Sequence, residues 1–289
     1  MDSGKKEIDL GDIRMSIEIR NSNEDQYGNS KKNIFLAFDD EEHYVGNAYA
    51  YPSINYHQTY ETPYLIFINI DIDDKVDKAF GDVVRQMLFD KVFSRAKELR
   101  TEKLDLKSRV YSGFEYNEDI LRFYIKNGFE EDYITLMEAY IPKEFTYTLP
   151  ESVVVTELKI DKEKELLEYK TIHDEIFVTP LNLEVLKEQG NQKHFKIVYF
   201  SIDGMVQGGC TIFEKDGFGY VETLYVLQEK RGSGLSTEII KYIFNYFLRK
   251  GLSKTRLEVW ELNKRAVKLY KSVGYSEVKK NLMFPGITL

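Results

Sequence analysis

The sequence predicts an α/β protein built of two tandem units, each a mixed sheet with helices packed on it. Three observations lead there. Strand-like and helix-like segments alternate through the second half of the chain. The first half repeats much of that pattern at a fixed offset. One strand of the second half runs into a basic, glycine-punctuated turn that opens a helix.

The second half is the clearer one. Its periodicity predicts a strand over 153–160, a helix over 162–177 and a shorter helix near 183–189. Strands over 195–201 and 206–213 flank Ile202-Asp203-Gly204, a hairpin signal. A strand over 220–227 and a helix over 235–250 follow, the helix carrying apolar residues at Leu235, Ile239, Ile240, Ile243, Phe244 and Phe247. A strand over 255–260, a helix over 263–272 and a strand near 277–283 complete the unit.

In the first half, Asn117, Tyr124, Gly128, Phe129, Leu136 and Met137 stand 146 positions before Asn263, Tyr270, Gly274, Tyr275, Leu282 and Met283. Strands over 13–19, 33–38, 44–51 and 64–72, a helix over 83–99 and a strand over 103–107 then match the second half in order. The boundary is expected at Thr148-Leu149-Pro150-Glu151-Ser152, giving units of 7–148 and 152–289.

The turn after the strand over 220–227 reads Gln228-Glu229-Lys230-Arg231-Gly232-Ser233-Gly234-Leu235-Ser236. Two glycines let the backbone curl and leave its amides uncovered. With the positive end of the helix dipole they would cradle a pyrophosphate, with Arg231 at the rim. An ordinary strand–turn–helix joint is the alternative. A second segment bears on the choice: Asn263, Ala266, Tyr270, Gly274 and Tyr275 follow the next strand at spacings of three, four, four and one.

Together the two segments resemble the GNAT superfamily of acyl-CoA-dependent N-acyltransferases, over residues 152–289. The family's pyrophosphate motif, Arg/Gln-x-x-Gly-x-Gly/Ala, maps onto Arg231, Gly234 and Ser236, with an extra glycine at Gly232. Its later helix, Asn-x-x-Ala-x-x-x-Tyr-x-x-x-Gly-Phe, maps onto Asn263, Ala266, Tyr270, Gly274 and Tyr275. Departures are Ser236 for glycine or alanine, Gln228 where proline often stands, and Tyr275 for phenylalanine. The resemblance implies two tandem GNAT-like folds. In the first, the turn Asp73–Asp82 holds one glycine and several carboxylates that would repel a pyrophosphate, so that unit is expected to be degenerate and non-catalytic. Between its first two strands there is also no room for both helices usual in the family.

The resemblance implies acetyl-CoA as cofactor, bound by residues 224–236 (Leu224, Tyr225, Val226, Arg231, Gly232, Ser233, Gly234, Leu235 and Ser236) with Asn263 and Tyr270. Val226 enters through its backbone amide, which would serve the oxyanion. Tyr270 matches the family tyrosine that protonates the leaving thiolate; a packed helix tyrosine is the alternative. Asn263 matches an asparagine that bonds the cofactor arm, a role compatible with capping its helix. Glu222, within an apolar strand, is the candidate base, its alternative a solvent-facing carboxylate. Lys230, Lys264 and Arg265 could meet cofactor phosphates. The expected function is N-acetyl transfer to a primary amine of a small molecule or peptide. A non-catalytic acyl-CoA-binding scaffold and a mycothiol-synthase-like acyltransferase are the alternatives.

Composition agrees with two packed domains: 43% of the 289 residues are hydrophobic and 14% aromatic. The N-terminal residues lack a signal-peptide apolar region, and no run is long enough to span a membrane, so a cytoplasmic protein is expected. Cys210 is the one cysteine, in an apolar strand where a small buried role is expected. The four histidines, His43, His57, His173 and His194, show no metal-ligand spacing. Net charge is −8 overall; residues 1–150 carry −10 and residues 151–289 carry +2. The acidic half argues against a nucleic-acid partner and would attract a cationic substrate, or simply solubilise the chain. The acceptor's identity and the oligomeric state leave no mark on the sequence.

Overall fold

The computed structural model describes residues 5–9, 14–57, 61–145, 147–177 and 180–289. They form two compact units, and neither is one continuous stretch of chain. Unit 1 is Met1–Ile54, Glu61–Glu131 and Phe284–Leu289; unit 2 is Asn55–Tyr60 and Asp132–Met283.

Unit 1 contains β1 (Lys5–Asp9), β2 (Arg14–Asn21), β3 (Ile34–Phe38), β4 (Tyr44–Ile54), β5 (Tyr64–Ile72), α1 (Lys78–Thr101), β6 (Ser108–Tyr111), the short β7 (Phe114–Glu115) and α2 (Glu118–Lys126). Its sheet runs β1-β2-β3-β4-β5-β6 and ends on the C-terminal strand Gly286–Thr288. All neighbours are antiparallel except β5 and β6. Helix α1 buries Phe80, Val84, Leu88, Val92, Ala96 and Leu99, spaced to make one face. That face meets Ile17, Ile66, Ile68 and the small Ala48 and Ala50 of β4.

Helix α1 begins five residues before the expected start at 83. Asp77 caps it, its carboxylate accepting from the amides of Ala79 (2.9 Å) and Phe80 (3.2 Å). Much of the acidic stretch read as a loop is therefore helix. Strand β6 is also displaced from the expected 103–107, whose alternating leucines belong to a turn that leaves Leu104 exposed. Ser108 stands 146 residues before Lys254, so the repeat's own offset marks the observed strand.

Unit 2 contains β8 (Tyr133–Tyr140), β9 (Val153–Leu158), α3 (Glu163–Phe177), α4 (Leu183–Gln189), β10 (Lys196–Ile202), β11 (Met205–Lys215), β12 (Phe218–Val226), α5 (Leu235–Arg249), β13 (Lys254–Trp260), α6 (Lys264–Ser272) and β14 (Ser276–Met283). Within the unit its sheet runs β14-β8-β13-β12-β11-β10-β9, and β12 and β13 are its parallel pair. The β10–β11 turn places Asp203 (φ 52°) and Gly204 (φ 75°) in the left-handed region, as the Asp-Gly signal predicts. Alternate residues of β10 serve two cores. Val198 and Phe200 pack with α5, while Ile197 and Tyr199 pack with α3 and α4. Helices thus cover both faces.

The cut expected near residue 150 does not separate these units. Strand β8 pairs with β13 from Lys254↔Tyr140 to Trp260↔Ile134 and with β14 on its other edge. Its Met137 and Ala139 are buried in unit 2's core. The C-terminal strand pairs with β6 in unit 1. Each half of the chain thus supplies a late strand to the other half's sheet. The repeat does not reveal this: β8 and its copy β14, which carry Leu136-Met137 and Leu282-Met283, both lie in unit 2's sheet. Among the described residues no helix is long and apolar enough to cross a membrane.

Candidate active site

The parallel pairing of β12 with β13 covers only Gly219↔Thr255, Tyr220↔Arg256 and Val221↔Leu257. Beyond Val221 and Leu257 the two strands continue but part. Glu222–Val226 and Glu258–Trp260 line a cleft of about 460 Å³ between them. One local cause lies on the other edge of β12, where the register with β11 shifts between Thr211 and Ile212. Thr211 faces Thr223 and Ile212 faces Val221, so Glu222 is the extra residue of a β-bulge. A bulge bends its strand and re-aims its side chains. Past it, Leu227 N donates to Gln207 O (2.8 Å). By ladder alternation the Tyr225 amide then points to β11, and those of Leu224 and Val226 point into the gap.

The cleft reaches the start of α5. Gly232 (φ 81°) and Gly234 (φ 86°) adopt the left-handed conformation, and a Cβ at either would meet open space. Gly234 is the helix cap and supplies no side-chain bond. The amides of Gly232, Gly234 and Ser236 donate to no group among the described residues. Gly232 and Ser236 line the cleft. Ser233 is turned away: its hydroxyl donates to Lys230 O (2.7 Å) and accepts weakly from Leu235 N (3.4 Å). The Leu235 side chain lies in the core under α5.

Arg231 lines the cleft but is not a free rim charge. Its Nε donates to Val226 O (3.3 Å) and its Nη2 to His57 Nδ1 (2.8 Å). Asn263 caps α6, accepting from Ala266 N (3.2 Å), and also lines the cleft. The Tyr225 ring is buried edge-on to Phe177, with its hydroxyl unpartnered among the described residues.

Tyr270 of α6 is 7% exposed and packs against Tyr275. Its hydroxyl has no partner among the described residues, the ring lines the cleft, and burial pushes its pKa up to about 12. Glu222 faces the cleft and accepts from Gln189 Nε2 at 3.0 Å. Its carboxylate keeps contact with solvent while the cleft walls crowd it. That burial, reinforced by nearby Glu258 and opposed by the Gln189 bond, raises its pKa above the ordinary carboxylate value. Cys210 is buried in β11, and desolvation pushes its thiol up, as a packing role requires.

Sequence reasoning missed several lining residues. The rings of His173 and Phe177 of α3 meet at a tilt, 4.8 Å apart, on one wall, and burial lowers the His173 pKa despite Asp174 beside it. Glu258 accepts from Tyr220 (3.0 Å) and Asn281 (2.9 Å). His57 comes from the distant segment after β4. None of these carries a local motif.

The acetyltransferase (GNAT) family matches residues 164–275 of the chain. Thialysine N-epsilon-acetyltransferase of Bos taurus is 31% identical over 134 residues, 40% of this chain and 75% of that protein. A GCN5-related N-acetyltransferase from Sphaerobacter thermophilus superposes with a TM-score of 0.49 at 15% identity, over 89% of this chain and 81% of that one. A tandem GNAT protein from the clavulanic acid biosynthesis pathway gives 0.46 at 10% identity, over 95% and 83%. With that cleft and that relative, the chain belongs to the GNAT family and is an acetyltransferase.

Proposed function

We propose that unit 2 transfers the acetyl group of acetyl-CoA to a primary amine on a small, cationic molecule. The observation that carries the reading is the continuity of the cleft. One opening joins the gap between β12 and β13, the uncapped start of α5, the Tyr270 hydroxyl and the Glu222 carboxylate. The residues fit the cofactor: the amides of Gly232, Gly234 and Ser236 have no partner among the described residues, and no side chain stands over Gly232 or Gly234. A diphosphate would take those amides. The pantetheine arm would add a third strand-like chain between β12 and β13. Acetyl-CoA supplies an activated thioester carbonyl.

Each side chain then has a definite task. An ammonium acceptor is drawn to Glu222 and Glu258, and Glu222, with its raised pKa, takes its proton directly or through water. The Val226 amide, facing the gap, donates to the carbonyl oxygen as charge gathers there. Tyr270 is protonated at neutral pH and donates to the departing sulfur. With its pKa about 12, it stabilises sulfur mainly by a hydrogen bond, because full transfer to a thiolate of ordinary pKa about 8.5 runs uphill. The Bos taurus relative is named for acetylating the epsilon nitrogen of thialysine, which supports an amino-acid-like acceptor.

Mass-spectrometric turnover of a panel of mono- and dicationic amines with acetyl-CoA tests the reading. Acetylated product from lysine-like or diamine acceptors is expected. CoA binding without turnover of any amine would favour an acyl-CoA-binding scaffold.

A further inference from the structure

Residues Asn55–His57 follow β4 in the first half of the chain but belong to unit 2. They bring His57 to the phosphate end of the cleft, beside two arginines. Arg231 Nη2 donates to His57 Nδ1 (2.8 Å), and Arg231 Nη1 reaches Tyr56 O (3.5 Å). Arg265 Nη2 donates to His57 O (2.6 Å). All three residues line the cleft. Neither guanidinium has a carboxylate within ion-pair distance among the described residues. Burial and the neighbouring Arg265 hold Arg231 below its ordinary pKa. Two guanidinium groups thus meet at one histidine, Arg231 on its ring and Arg265 on its backbone carbonyl, an arrangement that favours an anion beside them.

We propose that His57 is a phosphate ligand of this site: a bound phosphoryl group takes over the Arg231 hydrogen bond while the imidazole takes up a proton. This rests on the cofactor reading above. Arginine has no acceptor, so its bond to Nδ1 requires that nitrogen to be unprotonated, and the neutral ring carries its proton on Nε2. In the free protein burial and Arg231 lower the His57 pKa most; Glu175 of α3 opposes them more strongly than Arg265 aids them, Glu229 of the turn opposes least, and the net shift is downward. A phosphate anion reverses that balance. A solvent proton then binds Nδ1, Arg231 Nη2 is released to a phosphoryl oxygen, and the imidazolium adds a second charged donor. A residue from the first half of the chain would thus complete the cofactor site of the second unit.

The sign follows from linkage. His57 has a lowered pKa when free and a raised one when the anion is bound. Proton uptake on binding is therefore greatest between those two values, and affinity rises as pH falls through the bound-state value. The test is calorimetry of CoA binding to the full chain near pH 6.5, in buffers of different ionisation enthalpy. Uptake of up to about one proton per bound CoA is expected for the parent. His57→Gln should abolish the uptake and weaken binding about tenfold at pH 6.5, and less at pH 8.5. Dephospho-CoA separates the sources: uptake that persists assigns the diphosphate, and uptake that vanishes assigns the 3′-phosphate. Parent protein that binds CoA with no uptake, or His57→Gln with undiminished uptake, overturns the assignment and leaves the cofactor reading standing. Failure of the parent to bind CoA at all overturns both.

Discussion

Helix α1 of unit 1 starts at an aspartate and helix α5 of unit 2 starts at a glycine, although each follows the strand that pairs in parallel with the next. At α1, Asp77 occupies the amides of Ala79 and Phe80, and the Asp73 carboxylate takes that of Lys75 (2.9 Å). At α5, Gly234 gives no side chain, and the amides of Gly232, Gly234 and Ser236 have no partner among the described residues. The strands before them differ too. β5 pairs with β4 in unbroken register from Gly46↔Ile72 to Ile54↔Tyr64, whereas β12 is bulged at Glu222. In unit 1, Phe67 and Tyr111 meet edge-on across the parallel pair at 5.3 Å. Tyr124, the repeat partner of Tyr270, is enclosed by phenylalanines and bonded to Ser112. Two units with one strand-and-helix plan therefore spend the same positions differently. In unit 1 the amides at the helix start are bonded by aspartate carboxylates, whereas in unit 2 three amides at the equivalent joint have no partner among the described residues.

The two units are structural bodies and not halves of the chain, and the largest expected effect follows from that. A fragment of residues 152–289 lacks β8, which stands between β13 and β14, together with core residues Met137 and Ala139. It should fail to give the cooperative unfolding transition of the full chain. A fragment that melts cooperatively and binds CoA with the parent's affinity would restore the cut near residue 150.

Next comes the α5 cap. Gly234→Asp places a carboxylate at the start of α5, as Asp77 does at α1, and aspartate tolerates the left-handed conformation that Gly234 adopts better than most residues. CoA affinity should drop about 100-fold or more, roughly 3 kcal/mol, while the melting temperature moves little. The tyrosine pair sharpens the comparison further. Tyr270→Phe should lower kcat by about 10²–10⁴-fold with CoA affinity kept. Tyr124→Phe, which loses a hydroxyl bonded within unit 1, should leave kcat unchanged and cost about 1 kcal/mol of stability.

Glu222→Gln separates function from stability by opposite signs. A carboxyl whose folded pKa is raised binds protons more tightly in the native state. Its ionisation therefore disfavours the fold as pH rises above the ordinary value, and the cost is full above the raised one. At pH 8 the glutamine variant should melt slightly higher than the parent while turning over more slowly. Its pH–rate profile should lose the acidic limb that Glu222 sets. A variant with the parent's profile would make Glu222 a strand carboxylate only. The smallest effect belongs to Asp77→Ala, expected to cost about 1 kcal/mol in unit 1 and to create no second CoA site.

Much of this was legible in the sequence where the signal is local. The strand–glycine turn–α5 segment and the β13–α6 segment declare themselves through spacing and through residues that admit positive φ. The repeat offset carries Lys264 onto Glu118, the first residues of α6 and α2. What escaped was non-local. Which sheet a late strand joins depends on pairing that both copies could satisfy. The bulge at Glu222 depends on the partner strand, and no residue type marks it. Arg231 turns to His57, 174 residues away, so its side chain could not be placed from the motif around it.

One CoA per chain, held in unit 2 at the start of α5, is the expected stoichiometry. Calorimetric titration of the full chain with CoA, beside the Gly234→Asp variant, tests it most directly. A single saturable site is expected in the parent and none in the same concentration range for the folded variant. Two sites per chain, or a variant that binds like the parent, would contradict it.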